Sequence, residues 1–400
     1  MIQVDPSNIW SCISLPDLLG REKDIFDAHL RLRTNEDGEV PAFGWLGQAD
    51  SITAKTLSAI SKAAETIRTS CQTLVVVGSQ SAWLAAKAAL RLLGAPDAFA
   101  PRIVFTGDNL SSVDWARLCD GLGSGEYCLH LIGSDEDSLS ASISSRALRW
   151  MLERRSGDRA KARIFVTAPD ASPLAHMARE EGYTLLSLPE APAGAWSALT
   201  ASVFLPLAVA GHDPLAMLEG AASAYHEFDV RAFENPVWMY VGARLCLTRQ
   251  GYAEMLGTFE PALSAFGLWW QDLFSRRSGC GTLCVPMSLP QQLPSLDAAI
   301  RAGNSRIFET LLRLQTVSPR KISVEMDWHD YDGLGHLSGK TLSDVEQSEY
   351  ETLVAAHADL EVPIVAIEAE QTDSKALGAL FYFFELAAML GAQLNGKTDM

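Results

Sequence analysis

Four short stretches carry residue types that could do chemistry. Gly133–Ser138 reads GSDEDS, so Ser134, Asp135, Glu136, Asp137 and Ser138 place three carboxylates and two hydroxyls side by side. Carboxylates grouped in this way can hold a cation, and one of them can act as a general base if its neighbours raise its pKa. Gly78–Ser81 (GSQS) and Gly107–Asn109 (GDN) offer Ser79, Gln80, Ser81, Asp108 and Asn109 as hydrogen-bonding groups. Arg276–Arg277 supply two guanidiniums of the kind that hold a carboxylate. A plainer reading stands beside each. Asp and Ser ahead of an apolar helix cap its N-terminus, and an acidic loop and an arginine pair can simply neutralise one another.

The elements around these stretches place three of them on loops. Residues 73–77 (TLVVV) form a continuous β-rich apolar run, Gly78 breaks it, and an Ala/Leu-rich helix begins near Ala82. This is the strand–turn–helix of a parallel sheet buried on both faces. RIVFTGDN (102–109), YCLHLIGSDEDS (127–138) and RIFVTAPD (163–170) repeat the pattern. The alternation predicts an α/β fold with ligand loops at the C-terminal ends of the strands. Residues 194–250 read as mostly helical. A second, smaller α/β unit follows, with strands expected at 254–259, 282–286, 322–326 and 362–369. Residues 1–50 read as a helical or irregular segment, 51–220 as a first domain and 221–400 as a second, sharing a large interface. Ala376–Leu394, interrupted by Glu385, reads as a buried core helix rather than a membrane span.

Composition removes several function classes. The chain has 400 residues and is 48% hydrophobic and 20% charged, which excludes wholesale disorder. Its formal net charge of −17 opposes binding to nucleic acid or to an anionic membrane. Seven cysteines lie scattered in largely apolar surroundings and read as thiols of a reducing compartment. Cys280 and Cys284 have neither a second pair nor a nearby histidine, so no metal is expected, and no cofactor. MIQVDPSNIW lacks the basic and apolar segments of a secretory signal, and a cytoplasmic location is expected.

In order and in detail the chain resembles the glucose-6-phosphate isomerase family in its bacterial branch. The resemblance rests on GWLG at 44–47, VVVGSQSAWLAAKAAL at 75–90, VFTGDNLSS at 104–112 and AREEGYTLLSLPEAPAGAWSALTA at 178–201. Further along it rests on FEPALSAFGLWWQDLF at 259–274, AGNSRIFET at 302–310, DGLGHLSGKT at 332–341 and VPIVAIEAEQTDSKALGALFYFFELAA at 362–388. It implies two SIS-type α/β/α sandwich domains with mostly parallel sheets, a homodimer, and a sugar phosphate between the domains near the subunit interface. Ser197, Thr200 and His357 fall in matching stretches and join the candidate site residues.

The resemblance also implies a chemistry that this sequence departs from. Aldose–ketose isomerisation needs a phosphate anchor, a base that shuttles a proton through an enediolate, a cation that stabilises it, and an acid/base group that opens the ring. The family's phosphate loop reads like Ser-Lys-Ser-Gly-Thr-Thr-Thr, and the matching stretch is Gly133–Leu139. Its three carboxylates would each oppose a phosphate charge by roughly 1–4 kcal/mol at 4 Å. The family's basic glutamate falls on Ser278, or on Arg276 or Arg277 if the register slips. Its enediolate arginine falls on Ala195 and its ring-opening histidine on Pro294. Its C-terminal lysine motif would lie past Asn395–Met400. Three functions remain open. The protein binds a metabolite or protein partner without catalysis; or it acts on a non-phosphorylated or differently charged sugar-like substrate, with Asp135, Glu136, Asp137 or His357 as the acid/base group; or it retains residual isomerase activity.

Overall fold

The computed structural model describes residues 2–34, 54–94, 96–133, 138–188, 194–277, 281–303, 306–315 and 320–396. The chain opens with a strand, β1 (Ile2–Asn8), followed by the helices Leu15–Leu19 and Glu22–Thr34. β1 pairs antiparallel with β10 (Ile364–Ala369), so the start of the segment expected to be helical or irregular is the edge of the second sheet. Its sequence IQVDPSN alternates apolar and polar, and its burial alternates likewise, as an edge strand with one covered face requires.

The first sheet contains β2 (Thr73–Val77), β3 (Arg102–Thr106), β4 (Tyr127–Ile132), β5 (Ile164–Pro169) and β6 (Thr184–Leu188), in the order β3-β2-β4-β5-β6. All four pairings are parallel. β2 and β4 are buried along their whole length, which is why they read as unbroken apolar runs. β6 escaped the sequence reading; two of its five residues are buried.

The second sheet has the order β1-β10-β9-β7-β8, with β7 (Ala253–Thr258), β8 (Cys284–Ser288) and β9 (Ile307–Leu314). These strands and β10 run parallel. The strand expected at 322–326 is absent. Ser323 makes one isolated bridge to Thr341, and Ile322 and Met326 are exposed. The backbone there bonds to its own returning loop (Val324 N–H to Lys340 O, 2.8 Å) instead of to a sheet. The strand actually central to the sheet is β9, IFETLLRL, whose Glu309 and Arg313 interrupt an otherwise apolar run.

The helix Ser374–Leu394 is the hub of the core. By length and composition it could cross a bilayer, yet 83% of its most apolar window is buried inside the protein. Its aromatic residues pack on Phe266, Trp269, Phe274, Phe228 and Tyr240. Trp269 and Trp270 are fully buried. The helix Pro214–Glu227 lies against it at backbone contact. A Cβ on Gly220 would meet the Lys375 carbonyl oxygen at 1.8 Å, and one on Gly378 would meet that of Met217 at 1.9 Å. Gly378→Ala would gain about 0.5–1 kcal/mol of helix propensity. A backbone carbonyl cannot rotate aside, so overpacking of at least about 1–3 kcal/mol should win. Urea unfolding should show a net loss of stability for Gly378→Ala, and a variant as stable as the parent would contradict this packing.

Candidate active site

The first sheet winds outward from β2 to β3 on one side and returns to β4 on the other. The switch point therefore lies between β2 and β4, and a crevice opens there beyond the strand C-termini. The structure has a cavity of about 430 Å³ at this place. Three helices begin on it. Ser79, Ser138 and Ser172 are the N-cap residues of the helices Gln80–Leu93, Leu139–Ser156 and Pro173–Glu181, and all three line the cavity. Ser138 Oγ accepts the Ala141 N–H at 3.2 Å, and Ser172 Oγ accepts that of Ala175 at 3.2 Å. Ser79 makes no such cap; its hydroxyl lies 3.2 Å from that of Ser81. The positive ends of three helix dipoles thus converge on one space.

The loops are locked together. Gly107 has φ +103°, and a Cβ there would sit 2.5 Å from the Gly78 carbonyl oxygen. That oxygen also accepts the Trp83 indole N–H at 3.2 Å, and the Gly107 carbonyl accepts the Ser140 hydroxyl at 2.7 Å. One wall of the cavity is a stripe along the helix Leu139–Ser156: Ser138, Ser142, Ser145, Arg146 and Arg149. Their spacing of 4, 3, 1 and 3 residues puts them on one face. Arg149 is held by Glu153 at 3.7 Å and by the sulfur of Met177. Among the described residues, the lining contains two guanidiniums and four serine hydroxyls besides Ser79, and no carboxylate or imidazole.

Of the residues singled out in the sequence, Gly78, Ser79 and Ser138 line this cavity, with Ser81 touching Ser79. Gln80 is exposed at the first position of its helix. Asp108 and Asn109 are exposed and form a turn: Asn109 donates to Asp108 at 3.1 Å and accepts the Ser111 N–H at 2.8 Å. Ser197 and Thr200 are not in the cavity wall. They build a buried cap in which Thr200 and Ser202 donate to the Ser197 carbonyl at 2.8 and 3.2 Å. Arg276 is exposed and pairs with Asp272 one turn back at 3.2 Å. Ser134, Asp135, Glu136, Asp137 and Ser278 lie outside the described residues, as do the side chains of Ala195 and Arg277. Ser142, Ser145, Arg146, Arg149 and Ser172 were missed. The helical period of the first four is visible in SLSASISSRALR, but they lie on the helix beyond the strand-end loop.

His357 is elsewhere, in the second half. It is buried where the helix Leu342–Asp359 meets β9, with Nδ1 2.8 Å from Glu309 Oε1 and Nε2 2.8 Å from Asp297 Oδ1. Burial acts to lower its pKa, but the hydrogen bonds and charges of Glu309 and Asp297 outweigh burial and raise it above 6.5. The imidazolium ties two helices to the sheet. A raised native pKa means a contribution to stability that is complete below about 6.5 and is lost as pH climbs through the native value. The stability gap between the parent and His357→Gln should therefore be wider at pH 5.5 than at pH 9 in urea titrations; a constant gap would show that His357 is not held as a cation.

The chain is 32% identical over 390 residues to glucose-6-phosphate isomerase of Staphylococcus saprophyticus, covering 94% of this chain and 88% of that one. It belongs to the glucose-6-phosphate isomerase family. The Staphylococcus aureus enzyme of the same name is 31% identical over 406 residues, covering 98% of this chain and 91% of its own. The fold is that of hypothetical protein TT0462 from Thermus thermophilus, with TM-score 0.87 and 20% identity over 99% of this chain and 95% of that one. A glucose-6-phosphate isomerase from Chlamydia trachomatis superposes with TM-score 0.72 and 14% identity, over 86% of this chain and 69% of that one. No family model matches the chain. The two mostly parallel α/β layers are thus the double SIS-type sandwich that the resemblance implied.

Proposed function

We propose that this member of the glucose-6-phosphate isomerase family binds a sugar-like small molecule at the first sheet's switch point and does not carry out ordinary aldose–ketose isomerisation. One observation carries the reading. Among the described residues, the cavity wall is rich in hydroxyls and contains no group able to take a proton from carbon. A serine without a base cannot do so near pH 7, because its hydroxyl stays protonated. The positions where the family's motifs fall point the same way. Pro294 lies in the first turn of the helix Leu293–Arg301, where its fixed φ serves structure, and Ser278 and Ala195 stand where a glutamate and an arginine would. His357 is committed to Glu309 and Asp297. The half-buried and buried thiols fit a cytoplasmic protein, and a homodimer follows the family resemblance.

A second reading, residual glucose-6-phosphate isomerase activity, is favoured by the relatives that bear that name. A coupled assay of glucose 6-phosphate and fructose 6-phosphate interconversion separates the two. Turnover should be absent, whereas ordinary enzymes reach roughly 1–1,000 per second; a rate in that range would establish the second reading and end the first.

A further inference from the structure

The helix Leu139–Ser156 serves two hollows. Its N-terminal half walls the switch-point cavity, and its C-terminal end borders a groove at the opposite edge of the first sheet, where β4 begins. From Ser138 to Arg154 the axis runs about 24 Å. The groove has a volume of about 430 Å³, within the range of roughly 300–1,000 Å³ typical of small-molecule sites. Leu122, Tyr127 and Met151 give it apolar surface. Its charged groups are Arg154 and Arg155, and among the described residues no acidic side chain lines it. The acids nearest in sequence are engaged elsewhere or stand outside. Glu126 pairs with Arg163, and Glu153 accepts the Tyr183 hydroxyl at 2.7 Å. Asp120 and Asp158 are exposed and outside the lining.

The helix Ser112–Leu122 also ends here, and the carbonyl ends of two helices are by themselves hostile to an anion. Arg155 offsets them by donating to the carbonyls of Gly123 and Gly125, the latter at 2.8 Å. Arg154 keeps its charge uncompensated. It is exposed, makes no ion pair among the described residues, and lies over the Trp150 ring, 4.6 Å from the centroid. Trp150 is itself 55% exposed. A guanidinium stacked on a ring leaves its in-plane N–H groups free to donate.

We propose that this groove binds a small aromatic anion, its ring against Trp150 and its charged group on Arg154. The assignment is independent of what the switch-point cavity takes. A neutral aromatic would miss the guanidinium, and inorganic phosphate would miss the indole. A guanidinium fork pairs with a carboxylate or a phosphate ester alike, so an aryl carboxylate and a nucleoside monophosphate share the required chemistry and are told apart by measurement.

Isothermal titration of the full chain with adenosine 5′-monophosphate, indole-3-acetate, adenosine and inorganic phosphate tests this. At least one of the two aromatic anions should bind about tenfold or more tightly than adenosine and than phosphate. Trp150→Ala and, separately, Arg154→Gln should each weaken that anion about tenfold. Arg146→Gln, in the other cavity, should leave it unchanged. Both groove side chains are exposed and outside the core clusters, so their variants should melt as the parent does. Raising the ionic strength should weaken the anion. Which anion binds identifies the source as carboxylate or phosphate. Adenosine or phosphate binding as tightly as both aromatic anions overturns the two-part recognition. Affinity unchanged in both groove variants, or lowered equally by Arg146→Gln, overturns the location. Absence of binding by both aromatic anions overturns the site.

Discussion

Parallel strand pairing is the constraint from which the rest follows. In a parallel sheet every strand runs the same way, so every following helix starts at the same end. Here that rule brings the helices that start after Ser79, Ser138 and Ser172 to one edge of the first sheet. The reversal of strand order between β2 and β4 leaves the gap that they surround. The cavity is thus a property of topology. Its hydroxyl and guanidinium lining is a property of the particular residues placed on those helices.

The core that holds this arrangement in place tolerates several buried polar groups, each compensated differently. Glu254 on β7 accepts from Arg244 at 2.6 Å and from Tyr240 and Thr310 at 2.7 Å, and the Arg244 guanidinium lies over Phe274. An ion pair buried to this degree survives only because hydrogen bonds meet the remaining lone pairs. Glu385, in the middle of the core helix, is offered the Ala198 N–H at 3.4 Å. Burial pushes its pKa far above the usual carboxylate range, so it sits there as a neutral acid. His130, in the centre of β4, is held to Thr167 at 2.7 Å and stays neutral because burial lowers its pKa to about 3. None of these groups lines the cavity: Glu254 ties β7 to the helix Pro236–Arg249, His130 ties β4 to β5, and Glu385 faces the turn at Ala198.

The first sheet was largely legible in the sequence because full burial on both faces writes itself as unbroken apolar runs, as in TLVVV and YCLHLI. In the second sheet β7, β8 and β10 fall where strands were expected, but β1 and β9 were missed. Glu309 breaks the apolar run of β9 and is explained only by His357, 48 residues away, which no local pattern reveals. Ile322–Met326 alternates like a strand, but both sheets have their edges elsewhere, so it has no partner to pair with. The same divide marks the site. Gly78, Ser79 and Ser138 could be placed from strand–turn–helix grammar. Arg146 and Arg149 could not be weighed until the helix carrying them was seen to form a wall.

Whether the cavity has kept a sugar while losing its proton chemistry can be decided with glucose 6-phosphate deuterated at C2, incubated with the protein in ordinary water and followed by NMR. Abstraction at C2 would wash the label out even without net isomerisation. The label should stay in place for as long as the uncatalysed control retains it; its loss at an enzymatic rate would mean that a base reaches the substrate and that the family's proton chemistry survives in this chain.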